Sequence, residues 1–389
     1  MAHHSFRIAI TISVFLLMIS FPLLNKNLKF FKDIESSENR APAELPELNI
    51  NRLDGFPTKY DKYYNDHFSL RQILIKYYNL LNLVVFKKSP TPQVIIGKSG
   101  WFFMGGNEDD SYRGMKQLTN EELEQLRLEL EYRTNYLEQR KIKFYLAIAP
   151  AKANIYHEKV PNDRFIAQKP SWGEQLNNYL KSKSSVRVVD LYSALNNAKS
   201  AGLVYYKIDN HWNERGAFYA ATKILSSIHH DIPEVNPLRY EEMLIKDSIR
   251  HNGNIAGMLS NISLYSDSVF MLTPKRGFAS KVARKNGYPI VQGFAYGWEY
   301  ENVREIPERK SPRLLVISDS FGSYIFPFLS EQFGRSVKIF DAWQYKLNED
   351  IITNEQPDVV LLLVLESNIK NILQFQSRLN NQIAQMKSS

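Results

Sequence analysis

The 389-residue chain contains no cysteine. That excludes a cysteine nucleophile, disulfides and thiolate metal sites. It also lacks an internal repeat, a low-complexity tract, an arginine-rich helix and a zinc-ligand pattern. Its net charge of +8 therefore does not point to nucleic acid. A basic balance of this kind suits a solvated surface, an anionic membrane or a polyanionic substrate. What is present is enough apolar material, 44% with 22 Tyr and 22 Phe, to build a substantial core. The length allows one large domain, or a catalytic domain with an appendage.

Residues Ile8 to Leu24 carry no charge. A run of about 17 such residues is near the lower limit for a membrane span and exceeds a usual signal-peptide core. No small-x-small cleavage site follows it, so residues 1–32 are expected to be an uncleaved transmembrane anchor with its flanks. Arg7 precedes the run and Lys26, Lys29 and Lys32 follow it. A literal positive-inside count would leave the body in the cytoplasm; the chemistry below argues instead for a body in the periplasm or outside. Residues 33–58, rich in Glu, Asn and Pro, are expected to be a linker, and residues 59–389 the catalytic domain.

Beyond the linker, apolar residues recur at helical spacing from Tyr60 to Lys87. Val94 to Phe103 reads as a hairpin, and Thr119-Asn-Glu-Glu opens a helix with a capping signature. Strands and helices then alternate. Strands are expected at 143–149, 186–190, 313–317, 337–339 and 359–365, with helices at 172–181, 191–201, 215–229, 321–333 and from Ile369 onward. Residues 232–310 look less regular. Alternation of this kind predicts a parallel sheet covered by helices on both faces. The uninterrupted Val359-Val-Leu-Leu-Leu-Val-Leu fits a central strand buried on both sides.

Two short segments carry candidate chemistry. Ser320 lies in Leu-Leu-Val-Ile-Ser-Asp-Ser-Phe-Gly, directly after a strand and before a helix, where function concentrates in parallel sheets. Asp209 and His211 lie in Tyr-Tyr-Lys-Ile-Asp-Asn-His-Trp-Asn, two apart, and so on one side of an extended segment. A serine hydroxyl needs a neighbouring imidazole to take its proton, and the imidazole needs a carboxylate to fix its tautomer. Helix capping is the plainer role open to Ser318, Asp319 and Ser320. Asp209 and His211 also suit a metal, but no third ligand follows at convincing spacing, so none is expected. Lys152, Tyr156 and Trp212 are further candidates for facing a substrate, and Glu366 and Asn368 for lining a cleft.

Taken with Glu38-Asn-Arg, Tyr63-Tyr-Asn-Asp-His-Phe-Ser-Leu-Arg, Ile96-Gly-Lys-Ser-Gly-Trp-Phe-Phe and Ala149-Pro-Ala-Lys-Ala-Asn-Ile-Tyr, these segments run in order along a recognisable pattern. The chain resembles the alginate O-acetyltransferase (AlgJ/AlgX-like) family of SGNH-hydrolase-like proteins of bacterial cell envelopes. The resemblance implies a three-layer α/β/α sandwich with a mostly parallel sheet. It also implies Ser320 as nucleophile, His211 as base and Asp209 as its orienter, and acetyl transfer to an extracellular or periplasmic polysaccharide. No cofactor is implied. The implied partners are a polysaccharide acceptor, the inner membrane and an integral membrane (MBOAT-like) acyltransferase that supplies acetyl. Two departures stand out: Ser318 where glycine is usual, and Asn254, a turn residue or an oxyanion donor, where an acid is usual. An acetyl esterase using the same triad, and a non-catalytic glycan-binding scaffold, stay open at this point.

Overall fold

The computed structural model describes residues 2–32, 42–48, 53–167, 169–251, 253–259, 265–290, 294, 297–310 and 312–377. Glu38-Asn-Arg and the end of the helix expected from Ile369 lie outside them. The chain divides into two compact units, one of Met1–Val94 with Ala256–Leu264, the other of Ile95–Ile255 with Tyr265–Ser389.

The first unit is helical: α1 (Ala2–Leu28), α2 (Phe56–His67) and α3 (Arg71–Leu81), the last running on into a π-turn at Asn82–Phe86. The single periodic stretch expected from Tyr60 to Lys87 is thus two helices. The break falls at Leu70, which adopts φ +77°, a left-handed backbone that no helix interior tolerates. α1 is apolar around much of its circumference, with Phe6, Ile12, Phe15, Leu17 and Met18 all exposed. Among the described residues, however, no helix is long and apolar enough to cross a membrane. The expectation of a transmembrane span in residues 1–32 is therefore not supported. Thr11, Ser20 and Pro22 interrupt the apolar run; the two hydroxyls turn back onto the carbonyls of Arg7 and Leu16 at 2.9 and 2.6 Å.

The second unit holds the sheet. Its strands, after the hairpin β1 (Val94–Ile96) and β2 (Phe102–Met104), are β3 (Lys143–Ala149), β4 (Val188–Val189), β5 (Met243–Arg250), β6 (Asp267–Pro274), β7 (Lys281–Val282), β8 (Glu301–Glu305), β9 (Arg313–Ser318), β10 (Arg335–Phe340) and β11 (Val359–Leu365). The order is β4-β3-β11-β9-β10-β8-β7 in a seven-stranded sheet. It is parallel from β4 to β10, and β8 and β7 join antiparallel at one edge. β5 and β6 form a separate antiparallel ribbon.

Strand periodicity splits the core into two. Val359, Leu361, Leu363 and Leu365 of β11 face one side with Tyr145, Ala147 and Ala149 of β3. Val360, Leu362 and Val364 face the other with Phe144, Leu146 and Ile148. Both sides are covered, which is why β11 has no polar residue to spare. One cover consists of α8 (Leu191–Ala198), α9 (Glu214–Asp231) and α12 (Phe321–Leu329). The other consists of α5 (Asn120–Glu138), α7 (Trp172–Lys183), α13 (Glu349–Glu355) and the 3₁₀ turns Glu366–Gln374. Among the described residues there are also the short helices α4 (Asn107–Tyr112), α6 (Lys152–Ile155), α10 (Asn254–Met258) and α11 (Gly297–Tyr300). The architecture is the expected three-layer α/β/α sandwich with a mostly parallel sheet.

Candidate active site

Ser320 sits in the turn between β9 and α12, with helical backbone angles φ −62° and ψ −24°. Its neighbour Asp319 fixes that turn. One Asp319 carboxylate oxygen accepts the Phe321 N–H at 2.9 Å; the other accepts the Tyr345 hydroxyl at 2.6 Å and the Leu365 N–H at 2.7 Å. The turn is thereby tied to the carboxyl end of β11. Ser318, the departure from glycine, does not face the cleft. It is fully buried beneath the first turn of α12, where a Cβ on Gly322 would lie 2.6 Å from the Ser318 Cβ.

Asp209 and His211 lie on the segment that leads into α9. A β-bridge between Tyr205 and Trp212 pinches this segment into a loop. Lys152, the first residue of α6, fills the loop: its Nζ donates to the carbonyls of Tyr206, Lys207 and Asp209 at 3.1, 3.0 and 2.7 Å. From outside, the Phe102 N–H of the hairpin donates to the Lys207 carbonyl at 2.9 Å, and the Asp267 carboxylate takes the Lys207 and Ile208 N–H groups. A loop with this many backbone bonds is part of the scaffold rather than a mobile cover.

The geometry is a line. Asp209 Oδ1 lies 2.7 Å from His211 Nδ1, and His211 Nε2 lies 2.7 Å from Ser320 Oγ. An ionised carboxylate only accepts, so Nδ1 carries the ring proton and Nε2 presents a lone pair to the serine hydroxyl. Phe321 and Tyr324 flank the imidazole, with centroids 4.8 and 5.1 Å away. Burial pushes the Asp209 carboxyl upward in pKa. The hydrogen bond and charge of His211, the His211 N–H and the Arg250 guanidinium outweigh that and hold it well below the usual carboxylate range. Arg250 and the Asn254 N–H, each 3.1 Å from Asp209 Oδ2, complete its coordination.

The remaining candidates have other surroundings. Trp212 is fully buried and packs edge-on to Phe321 at 5.0 Å, so it has no face for a sugar. Tyr156 is buried, its hydroxyl accepts the Val204 N–H at 2.9 Å, and burial pushes its pKa up to about 12. Lys152 is equally buried and directed at the loop backbone. Burial pushes its ammonium down to about 7, and Asp209, Glu108 and Asp267 pull it back up. None of the three is exposed to a substrate. Asn254 is exposed, but its side chain pairs with Asn210: its Oδ1 accepts the Asn210 N–H at 3.0 Å, and its Nδ2 donates to Asn210 Oδ1. Glu366 is fully buried and takes bonds from the Ala151 N–H, Asn154 and Tyr192, and burial raises its pKa. Asn368 donates to the Tyr345 hydroxyl at 3.2 Å.

Two residues of the site are not signalled by the sequence. Arg250 ends a strand of mixed composition, and Glu108 stands in an acidic helical turn that reads as solvated surface. Glu108 is half-buried, and burial pushes its carboxyl up to about 7. Among the described residues no group of three or more His, Asp or Glu side chains is arranged to hold a metal ion.

The chain is similar to several known proteins. Residues 94–267 match the family model for the SGNH hydrolase-like domain of the acetyltransferase AlgX. The match contains Asp209 and His211; Ser320 lies beyond it. A probable alginate O-acetylase AlgJ of Pseudomonas aeruginosa is 26% identical over 200 residues, covering 50% of this chain and 48% of the relative. The corresponding protein of Pseudomonas syringae is 25% identical over 226 residues, covering 58% and 55%. The chain thus spans about half the length of the curated relatives it matches. In fold it is similar to the O-acetyltransferase domain of Pseudomonas putida AlgJ (TM-score 0.50, 19% identity, 77% of this chain and 99% of the other). It is also similar to Bacillus cereus PatB1 bearing a sulfonyl adduct (TM-score 0.53, 19% identity, 71% and 97%). The matched domain and the relatives make the chain similar, over about half of its length, to the AlgJ/AlgX-like family of SGNH-hydrolase-like proteins.

Proposed function

We propose that this protein is an O-acetyltransferase that acetylates a hydroxyl of an envelope polysaccharide through an acyl-enzyme on Ser320. The observation that carries the reading is the unbroken line Asp209–His211–Ser320, with both links at 2.7 Å. His211 Nε2 takes the hydroxyl proton as Ser320 Oγ bonds to the acetyl carbon of the donor. The donor's leaving group then departs with that proton. In the second half a sugar hydroxyl gives its proton to His211 as its oxygen bonds to the acetyl carbon. Ser320 Oγ leaves and takes the proton back. Asp209 holds the ring tautomer and stabilises the imidazolium formed in each half. The Ser320 N–H, at the positive end of α12, supports the developing oxyanion.

The relatives' description as probable alginate O-acetylases supports a polysaccharide acceptor. An integral membrane acyltransferase is the proposed acetyl supplier. The exposed apolar side chains of α1 support attachment of residues 1–32 to the inner membrane, with the sheet domain in the periplasm or outside.

The test is product analysis with a reporter acetyl ester and an acceptor oligosaccharide. Wild type is expected to release acetylated oligosaccharide, and Ser320→Ala to release none. Free acetate as the sole product at saturating acceptor would identify a hydrolase and overturn the transferase reading.

A further inference from the structure

The chain has five tryptophans. Trp101, Trp172 and Trp212 are buried in the two cores. The other two, Trp298 and Trp343, are 71% and 45% exposed. Acyl transfer on Ser320 has no use for either ring. Single exposed apolar side chains are ordinary, but a group of them in one place marks a contact surface. Both rings stand at the carboxyl end of β10. Trp298 lies on α11, three residues before Glu301, which pairs with Ile339 of β10. Trp343 follows Phe340, the last residue of β10, by three. β10 runs beside β9 with Phe340 opposite Ser318, and the Asp341 N–H donates to the Ser318 carbonyl at 2.8 Å. Ser320 and Trp343 are therefore each two residues past that bond. Even with both arms fully extended, their Cα atoms lie within about 20 Å of each other. A second tie comes from Tyr345, in the same turn as Trp343, whose hydroxyl binds Asp319, the neighbour of Ser320, at 2.6 Å.

The turn that carries Trp343 is rigidly held. The Asp341 carboxylate accepts the Gln344 and Lys346 N–H groups at 3.0 and 2.8 Å, and the Asp341 carbonyl accepts the Tyr345 N–H at 3.2 Å. Asn371 donates to the Ala342 carbonyl at 2.8 Å. The Trp343 ring packs edge-on to Phe294 at 5.1 Å and against Phe340 at 6.0 Å, and the rest of it is open. Beside it, a cavity of about 220 Å³ is lined by Ile290, Tyr300, Asp341, Gln344, Lys346 and Asn348 among others. Among the described residues, neither the Trp343 indole N–H nor the Gln344 side-chain amide has a hydrogen-bond partner. A fixed indole next to an unpaired amide matches the two sides of a sugar ring: an apolar C–H face for the ring system, and hydroxyls for the polar groups. Neutral sugars and uronates share that face, so the match does not depend on acceptor charge. The occupant follows from position, because these rings continue the sheet edge that carries Ser320.

We propose that Trp343, with Trp298 at the same strand end, forms an aromatic subsite on which the acceptor polysaccharide stacks a sugar ring remote from the one acetylated. This rests on the acetyltransferase reading above and adds where the acceptor chain lies.

The test compares acetyl transfer from the reporter ester to a uronate disaccharide and to a longer oligomer of the same uronate, in the full chain. The ratio of the two kcat/KM values within one protein cancels any change in acylation. Wild type is expected to favour the longer acceptor by at least about fivefold, chiefly through KM. Trp343→Ala should bring the ratio near one, and Trp343→Tyr, which keeps an aromatic face, should retain most of it. Trp298→Ala removes the more exposed ring and should lower the ratio in part, which keeps the test alive should Trp343→Ala fail to fold. A wild-type ratio near one, or the wild-type ratio in both alanine variants, with acetylated serine forming throughout, would overturn the proposal and leave the transferase reading intact. Free acetate as the sole product would overturn the transferase reading, and the subsite is then decided by titrating tryptophan fluorescence with the longer oligouronate. A saturable change in wild type that Trp343→Ala lacks supports the subsite; a change missing from wild type, or retained in the variant, overturns it.

Discussion

Ser318 and Gly322 show how a single departure from a family pattern is absorbed by its neighbour. The Ser318 hydroxyl points beneath α12 and has no hydrogen-bond partner among the described residues. The space it occupies exists because residue 322 has no Cβ. Gly322→Ala is therefore expected to lower unfolding stability by about 1–3 kcal/mol, despite alanine's better helix propensity. In a Ser318→Gly background most of that cost should vanish, a coupling of at least about 0.5 kcal/mol in a double-mutant cycle. Additive costs would show that the two side chains do not compete for the same space. This pairing is invisible in sequence, because residues four apart across a strand–helix turn follow no fixed rule of contact. The same limit hid Arg250 and Glu108. Each is a charged residue in a polar segment; Arg250 takes its meaning from Asp209, which it reaches across the fold.

Among the elements, the loop from Tyr205 to Trp212 depends most on one side chain. Removing the Lys152 ammonium would leave the Tyr206 and Asp209 carbonyls without that donor, while the Lys207 carbonyl keeps the Phe102 N–H, and each buried unsatisfied acceptor costs about 1–3 kcal/mol. Lys152→Met should lower the urea midpoint, and should slow acetylation of Ser320 because His211 rides on that loop. Acetylation at the wild-type rate in the destabilised variant would show that the bridge between Tyr205 and Trp212 holds the geometry unaided. The elements that sequence reveals are those whose burial is regular. β11 is apolar at every position and β3 nearly so, and both stand where expected. Those it conceals are poorly buried. β5 is exposed along most of its length, and β8 (Glu-Asn-Val-Arg-Glu) buries one apolar side chain, Val303. Neither shows the alternation that marks a strand, so the stretch 232–310 reads as irregular. The break at Leu70 was hidden for the opposite reason: the apolar spacing on either side of it is continuous.

At the scale of the molecule, the sheet order explains why a pair and a serine so far apart in sequence form one site. β9 lies beside β11, and both end at the same edge of the sheet, with Ser320 just past β9 and Leu365 binding Asp319. The segment carrying Asp209 and His211 descends onto that edge before entering α9, which packs against α12. Sequence supplied the three residue types and their flanking elements; the distances between them follow from the crossovers of a parallel sheet, which no local pattern encodes. The central claim is that Ser320 carries the acetyl group. Intact-mass spectrometry of the full chain after exposure to a reporter acetyl ester tests it most directly. An adduct of about 42 Da, the mass one acetyl adds to a serine, is expected on wild type and absent from Ser320→Ala; the same adduct on both proteins, or on neither, would contradict the account.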